Sequence, residues 1–553
     1  EALSRKILTE EAISRILKRI KPTTRMDDLS EAQLIIEAVF EDFSVKSKLF
    51  EKLSEIVPPT TILATNTSSF SVTELSKSVK YPERFIGLHY FYHAAKNRLV
   101  EIIPGSSTSE KTIKTAYYFS LLSDKDPILC KDSYGFVVNR FFVPWLNEAV
   151  RIYEEGIATP GAIDFSAMKT FGIPMGPFAL MNATGVPIAY HAASTLEVFG
   201  PAYKVSPLLK KQAEKKENWL IDEVKEIPEE THKTIERRLL GVVFFVCSSI
   251  LEEGICTPAD LNKGARIGLR WRKGPVQLIE SLGIDYVNKL IAEYASKYRA
   301  NFTSLTPDKI KMDWLLTRKI NDTAFIIFNR QEDLNALNEK VIHQLDEVIS
   351  NFNSDVSIKN IVITSTGKAF VAGADIKFFI ENMEKKNIDR IVEFTRYTQN
   401  VFRKIDGSPK RVIAVLNGMA LGGGLELALT ADEIYALPDA TLGFPETSLG
   451  IYPALGGTHR TRNRIGKELT LYLILTAKTI TSSDAHSISL IDGVISFDDY
   501  INVLEGDLTP LKPIPPTTSP RWQSIKESIK NSLPDFPSEI LKIIESRAPL
   551  AVK

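Results

Sequence analysis

The chain has 553 residues, 44% hydrophobic and 25% charged, with 68 basic and 68 acidic side chains. That length accommodates about three or four domains, and a zero net charge argues against a nucleic-acid or membrane-surface partner, which would select a basic surplus or basic amphipathic segments. Three cysteines with no C-x-x-C pair argue against a zinc site or a disulfide framework, so no metal is expected and a reducing cytoplasm fits.

The chain opens on a charged helical pattern, EALSRKILTEEAISRILKRI, with no initiating methionine and no signal peptide. It is read as starting inside a domain. AQLIIEAVF from Ala32 and TTILAT from Thr60 are short apolar runs of the kind that form buried strands, and the amphipathic VKSKLFEKLSEIV lies between them. This strand–helix–strand order predicts a parallel sheet, which binds ligands at its carboxyl edge. Ser68 stands just past the second strand. In RFIGLHYFYHAAKNRLVEII, His89 ends one apolar run and Glu101 lies within the next, a pair suited to general-base chemistry and equally to an ordinary satisfied surface pair.

From about Asp132 the pattern turns helical, and Asn139 in DSYGFVVNRFF falls in the opening turn of a helix. A repeat follows. EEGIATPGAIDF from Glu154 returns as EEGICTPADLNK from Glu252, and Gly176-Pro177 returns as Gly274-Pro275, both at an offset of 98 residues. Two copies of one helical unit packed on each other account for it. The Lys/Glu-rich stretch Lys210–Glu230 between them is read as a solvated surface, and the apolar LLGVVFFVCSSIL from Leu239 as a buried helix too short to span a bilayer.

After about Ser296–Asp322 the strand, helix, strand order of TAFIIFNR, LNEKVIHQLDEVISNF and IKNIVITS announces a second α/β domain. Its most conspicuous stretch, LNGMALGGGLELAL, has no lysine or hydroxyl in P-loop position and no Gly-x-Gly-x-x-Gly spacing, so both phosphate-binding readings fail. Glycines at a strand-to-helix turn instead expose backbone N–H groups at a positive helix end, which suits an oxyanion hole. Glu426 then sits in the first helical turn, and Glu446 in GFPETSLGIYPALGG follows twenty residues later, giving two carboxylates for acid/base work. GKAFVAGADIKFF, with its turn Ala372-Gly373-Ala374, is the candidate for a second backbone donor. Each piece alone also serves as turn chemistry around a core. The Pro-rich Asp507–Trp522 is read as a loop, and SRAPLAVK at the end as the start of a further helix.

NRQEDLNALN, GKAFVAGADIK, NGMALGGGLELAL and GFPETSLGIYPALGGTHR together resemble the crotonase family, specifically enoyl-CoA hydratases. The resemblance implies a thioester oxygen held by the N–H groups of Ala374 and Gly423, and a water held by Glu426, which takes its proton, and by Glu446, which supplies one to C2. The N-terminal half resembles 3-hydroxyacyl-CoA dehydrogenases through NTSS, HYFYH, the following Glu101 and GFVVNR. That resemblance implies His89 as general base with Glu101 orienting it, Ser68 and Asn139 on the C3 oxygen, and Glu41, Lys46 and Asn66 beside an NAD cofactor. Tyr92 stands where the family usually has asparagine, and the family's Gly-x-Gly-x-x-Gly loop is expected before Glu1.

The expectation is therefore an α/β multidomain chain: a Rossmann-type parallel sheet (1–131), two all-α dehydrogenase repeats (132–230 and 231–306) and a crotonase-type ββα spiral (307–553). The order is similar to that of fused archaeal enzymes that take crotonyl-CoA through (S)-3-hydroxybutyryl-CoA to acetoacetyl-CoA. It implies a short acyl-CoA substrate, with coenzyme A as part of it, and a cytoplasmic homo-oligomer, a dimer through the dehydrogenase part or a trimer through the crotonase part. The rivals are a hydratase with an inactive dehydrogenase scaffold and a non-catalytic CoA-binding protein.

Overall fold

A computed structural model describes residues 9–516 and 519–532, so the opening EALSRKIL and the closing SRAPLAVK lie outside the described residues. Five short apolar runs form the first sheet in the order β1 (Leu34–Glu37), β2 (Ile62–Thr65), β3 (Phe85–Tyr90), β4 (Leu99–Pro104) and β5 (Asp126–Leu129). β2 is buried throughout, as a strand covered on both faces must be. The helix Phe43–Ile56 that crosses from β1 to β2 begins at Asp42, whose side chain accepts the Val45 N–H at 2.9 Å.

The sheet is parallel except at one place: β3 and β4 run antiparallel. Only Phe91–Arg98 joins them, too short for a helical crossover, so the chain turns back directly. That reversal is what sets His89 opposite Glu101 in the register.

The helical repeat is real and its glycines have a steric cause. In the first copy Asp164 accepts the N–H groups of Phe178 and Ala179 at 2.8 and 2.9 Å; in the second, Asn262 accepts that of Gln277 at 3.2 Å. A Cβ at Gly176 would lie 2.4 Å from the Asp164 side chain, and one at Gly274 2.1 Å from Asn262 Oδ1. Only glycine allows the helices Pro177–Thr184 and Pro275–Leu282 to start so close to their partners. The central helices Val138–Glu154 and Glu229–Glu252 occupy equivalent places and pack on each other. Buried Glu148 of the first meets Arg238 of the second, with the Tyr298 hydroxyl donating to the same carboxylate at 2.9 Å.

The stretch between the repeats departs from a purely solvated surface. Trp219 is buried, its N–H donating to Asn182 Oδ1 at 2.7 Å, and Asp222 accepts from Thr159 Oγ1 and from the Gly161 N–H. Its lysines and glutamates hide one aromatic anchor that a charge count does not reveal. Among the described residues no helix is long and apolar enough to cross a membrane.

The last part builds two sheets. One has six strands in the order β15 (Gly493–Val494), β12 (Glu433–Ala436), β10 (Arg411–Leu416), β8 (Asn360–Ser365), β7 (Thr323–Phe328) and β6 (Leu315–Ile320). The other has four: β14 (Thr479–Thr481), β13 (Thr441–Gly443), β11 (Met419–Leu421) and β9 (Ala369–Val371). The pairs β8/β9, β10/β11 and β12/β13 each give one strand to the large sheet and the next to the small one, so the chain spirals as it repeats. The six-stranded sheet lies near the helix Glu110–Leu122 of the first domain, where Glu505 accepts from the Tyr118 hydroxyl at 2.7 Å and from Lys114 at 2.6 Å.

Candidate active sites

The first site forms at the carboxyl edge of the five-stranded sheet. His89 Nδ1 lies 2.6 Å from Glu101 Oε2, and both residues are buried. The second carboxylate oxygen, Oε1, accepts the N–H groups of Val137 and Val138 at 3.1 and 2.9 Å, at the start of the helix Val138–Glu154. A helix N-terminus with two aimed donors stabilises a carboxylate in a dry site. Gly135 and Phe136 both adopt positive φ to turn those donors inward. For Phe136 this is a strained conformation held by its surroundings, its ring 5.7 Å from the imidazole. With Nδ1 committed to Glu101, Nε2 makes no hydrogen bond among the described residues and is the nitrogen left for chemistry.

Asn139 is half-buried in the first turn of the same helix, next to Val138. Asn66, past the end of β2, accepts the Tyr90 N–H at 2.8 Å and ties that edge to the strand of His89. Ser68 is exposed at the same edge, its N–H donating to Glu41 at 2.9 Å. No hydrogen bond among the described residues joins Ser68 or Asn139 to His89.

Glu41 organises this edge. It accepts from Thr67 Oγ1 at 2.6 Å and Ser69 Oγ at 2.8 Å, and lies 3.2 Å from Lys46 Nζ. Burial alone would raise its pKa; these hydroxyls and the lysine hold it below the ordinary carboxylate range. Lys46 is itself only 1% exposed and pairs with buried Glu37 at 2.6 Å. Glu37, Thr67 and Ser69 were not singled out from the sequence; a carboxylate ending a strand of otherwise apolar residues was the available signal for Glu37.

The second site explains the three glycines one by one. Gly422 has φ +51°, and a Cβ there would lie 2.7 Å from Glu446 Oε1. Gly423 opens the helix Gly423–Ala428, and its Cβ position lies 3.7 Å from the Ala374 nitrogen. A Cβ on Gly424 would fall 1.9 Å from the Val371 carbonyl oxygen. Gly424→Ala is therefore expected to destabilise the chain by about 1–3 kcal/mol, as overpacking does; thermal unfolding of the variant checks it, and an unchanged midpoint would refute the close approach.

No side chain caps the helix at Gly422, and the N–H of Gly423 has no hydrogen-bond partner among the described residues. Ala374 sits in a bridge with Leu337. The bridge bonds run from Leu337 N–H to Gly373 O at 2.9 Å and from Asp375 N–H to Leu337 O at 2.8 Å. In such a bridge the Ala374 N–H points away from Leu337, and its nitrogen lies 3.7 Å from the Cβ position of Gly423. Two carboxylates lie close to this turn. Glu426 is 2% exposed and accepts the N–H groups of Leu455 and Gly457 at 2.7 and 2.8 Å through one oxygen. Burial pushes its pKa up to about 7 despite those donors. Glu446 carries a buried oxygen with no partner among the described residues. Burial, with the neighbouring Glu426 charge, pushes it up to about 8. Two carboxyl groups so arranged hold their protons unequally near neutrality. The donors of Leu455 and Gly457 were not singled out from the sequence; the pair Gly456-Gly457 was the signal. No described group of three His, Cys, Asp or Glu residues could hold a metal ion.

Comparison with known proteins identifies the domains that carry these two sites. Residues 1–133 match the 3-hydroxyacyl-CoA dehydrogenase NAD-binding domain, and residues 135–219 and 235–321 both match its C-terminal domain. Residues 319–504 match enoyl-CoA hydratase/isomerase. A 3-hydroxybutyryl-CoA dehydrogenase of Clostridioides difficile is 41% identical over 198 residues, 35% of this chain and 70% of that protein. A 3-hydroxyadipyl-CoA dehydrogenase of Escherichia coli K12 is 40% identical over 35% of this chain and 40% of its own length. A fatty acid oxidation complex subunit alpha of Vibrio cholerae is 31% identical over 57% of this chain and 47% of its own length. The chain thus spans less than half of the last two. The NAD-binding domain makes NAD the cofactor of the first site. With its NAD-binding and duplicated helical domains, followed by an enoyl-CoA hydratase/isomerase domain, the chain belongs to the 3-hydroxyacyl-CoA dehydrogenase family.

Proposed function

We propose that the chain hydrates a short trans-2-enoyl-CoA, crotonyl-CoA as the type, to the (S)-3-hydroxyacyl-CoA and oxidises that product to the 3-oxoacyl-CoA with NAD. The observation that carries this reading is that one chain holds both a buried His89–Glu101 pair and two raised carboxylates at the turn where Gly423 lies beside the Ala374 nitrogen.

In hydration, Ala374 and Gly423 N–H donate to the thioester oxygen and stabilise the charge that develops there. Glu426, the more acidic of the pair, takes a proton from the water whose oxygen bonds to C3. Glu446, which keeps its proton to higher pH, gives it to C2. The two carboxyls then exchange the proton that resets them. In oxidation, His89 Nε2 takes the C3 hydroxyl proton, and Glu101 holds the ring and stabilises the imidazolium. Ser68 and Asn139 hydrogen-bond the C3 oxygen. NAD supplies the acceptor for the hydride from C3.

The residues at the sheet edge fit a flat aromatic ring with a polar edge. Val39 and Phe40 beyond β1 are exposed apolar side chains, Phe40 at 89%, and they directly precede Glu41, which accepts the N–H of exposed Ser68. Glu41 and Asn66 would hold the cofactor there, with Lys46 acting through Glu41. Domain limits of 1–131, 132–230, 231–306 and 307–553 and a homo-oligomeric assembly complete the proposal. Three free cysteines support a reducing, cytoplasmic setting.

A pH profile tests the assignment of acid and base. Below about 7 Glu426 gains a proton and can no longer act as base; above about 8 Glu446 loses the proton it must donate. The kcat/KM for hydration is expected to be a narrow bell between those limbs, whose apparent values belong to the pair. A profile flat from about pH 6 to about pH 9 would contradict the roles given to both residues.

A further inference from the structure

A run of ion pairs leads from the dehydrogenase part of the chain to the oxyanion donor of the hydration site. Arg266 lies in a π-helical turn, Gly264–Gly268, of the second helical repeat. Its guanidinium pairs bidentately with Asp333, at 2.8 and 3.0 Å, across the junction between the two parts. Arg330 Nη2 also lies 2.7 Å from Asp333 Oδ2, and the same Nη2 donates to Asp375 Oδ2 at 2.9 Å. Asp375 directly follows Ala374. All four side chains are at most 15% exposed, where charge pairs are weakly screened.

Arg330 grips both strands of the bridge that holds Ala374. Its Nη1 donates to the Ala336 carbonyl at 3.0 Å, one residue before Leu337, and its Nη2 reaches Asp375 on the other side. Asp375 uses its second oxygen to accept the Lys377 N–H and so begins the helix Ile376–Glu384. The grip is contested, because Asp333 and Asp375 share one nitrogen. Arg266 settles the contest. By pairing with both oxygens of Asp333, it weakens the pull of that carboxylate on Arg330, whose Nη2 also donates to Asp375. On the other side, the Asn97 amide donates to the Gly268 carbonyl at 2.9 Å, just ahead of the strand of Glu101, so the π-turn is seated on the dehydrogenase sheet.

We propose that Arg266, which belongs to the dehydrogenase part, is a positioning residue for the hydratase: through Asp333 and Arg330 it sets the Ala374 N–H against the thioester oxygen. This rests on the reading of Ala374 and Gly423 as oxyanion donors. Without Arg266, Asp333 keeps only Arg330 at 2.7 Å and Lys377 at 3.8 Å as cationic partners, and it draws Arg330 away from Asp375. The bridge loosens and the Ala374 donor shifts, a displacement that costs rate more than binding.

The test is steady-state hydration by the full chain carrying Arg266→Met. The expected result is a kcat lower by roughly tenfold with KM within about twofold, and unchanged oxidation of 3-hydroxybutyryl-CoA by NAD. Arg266→Lys, which cannot make the bidentate pair, is expected to fall in between. The decisive variant is Arg266→Met combined with Asp333→Asn. The neutral amide then no longer competes for Arg330, so hydration is expected to recover to within about threefold of wild type. Asp333→Asn alone keeps Arg330 on Asp375 and is expected to stay within about twofold even if the methionine variant folds poorly. An unaltered kcat in Arg266→Met, a double variant no faster than the single one, or a parallel loss of oxidation would each overturn the proposal. Glu446→Gln separates the two levels: if it spares hydration, the underlying site reading fails; if it abolishes hydration while Arg266→Met does nothing, only the positioning role fails.

Discussion

Glu446→Gln is expected to lower kcat for crotonyl-CoA hydration by about three orders of magnitude, the scale of a lost general acid, and to leave the oxidation of 3-hydroxybutyryl-CoA within about twofold of wild type. The substitution is nearly isosteric. Glu446 lies against Gly422, whose missing Cβ leaves it room, and one of its oxygens has no hydrogen-bond partner among the described residues. An amide can stand there without breaking a native contact, but it has no proton of carboxylic acidity to give to C2. The folded state should be little affected. Equal loss of both activities would show that one site serves both reactions.

His89→Gln is expected to do the converse: oxidation lower by about three orders of magnitude, hydration unchanged. The glutamine amide falls nearer the position of Nε2 than that of Nδ1, but Glu101 keeps the Val137 and Val138 N–H groups on its Oε1. The carboxylate therefore stays satisfied, and loss of a proton acceptor is separated from loss of structure. A fall in hydration would place His89 outside the oxidation chemistry.

Much of this was legible in the chain. The alternation of apolar runs marked the strands of His89 and Glu101, and the 98-residue repeat marked the paired helices. The failure of LNGMALGGGLELAL as a phosphate loop left backbone donors as its use. Other features needed the third dimension. The antiparallel turn between β3 and β4, which sets His89 against Glu101, follows from a connection length that no propensity records. The reason for three consecutive glycines lies in atoms far along the chain, Glu446 for Gly422 and Val371 for Gly424. Lys46 reads as a helix-surface lysine, yet it is buried by Glu37 and Glu41. Arg266 and Asp333 are ordinary charges in sequence and become partners only because two domains meet.

The central claim is that two separate sites in this chain act in succession on one acyl-CoA. The most direct measurement is NADH absorbance on adding crotonyl-CoA and NAD to the wild-type chain, to Glu446→Gln, to His89→Gln, and to the two variants mixed. The account predicts NADH from the wild type, almost none from either variant alone, and recovery in the mixture, where one variant hydrates and the other oxidises the released product. No NADH from the wild type while hydration proceeds, or no recovery in the mixture when each variant retains its other half-reaction, would contradict it.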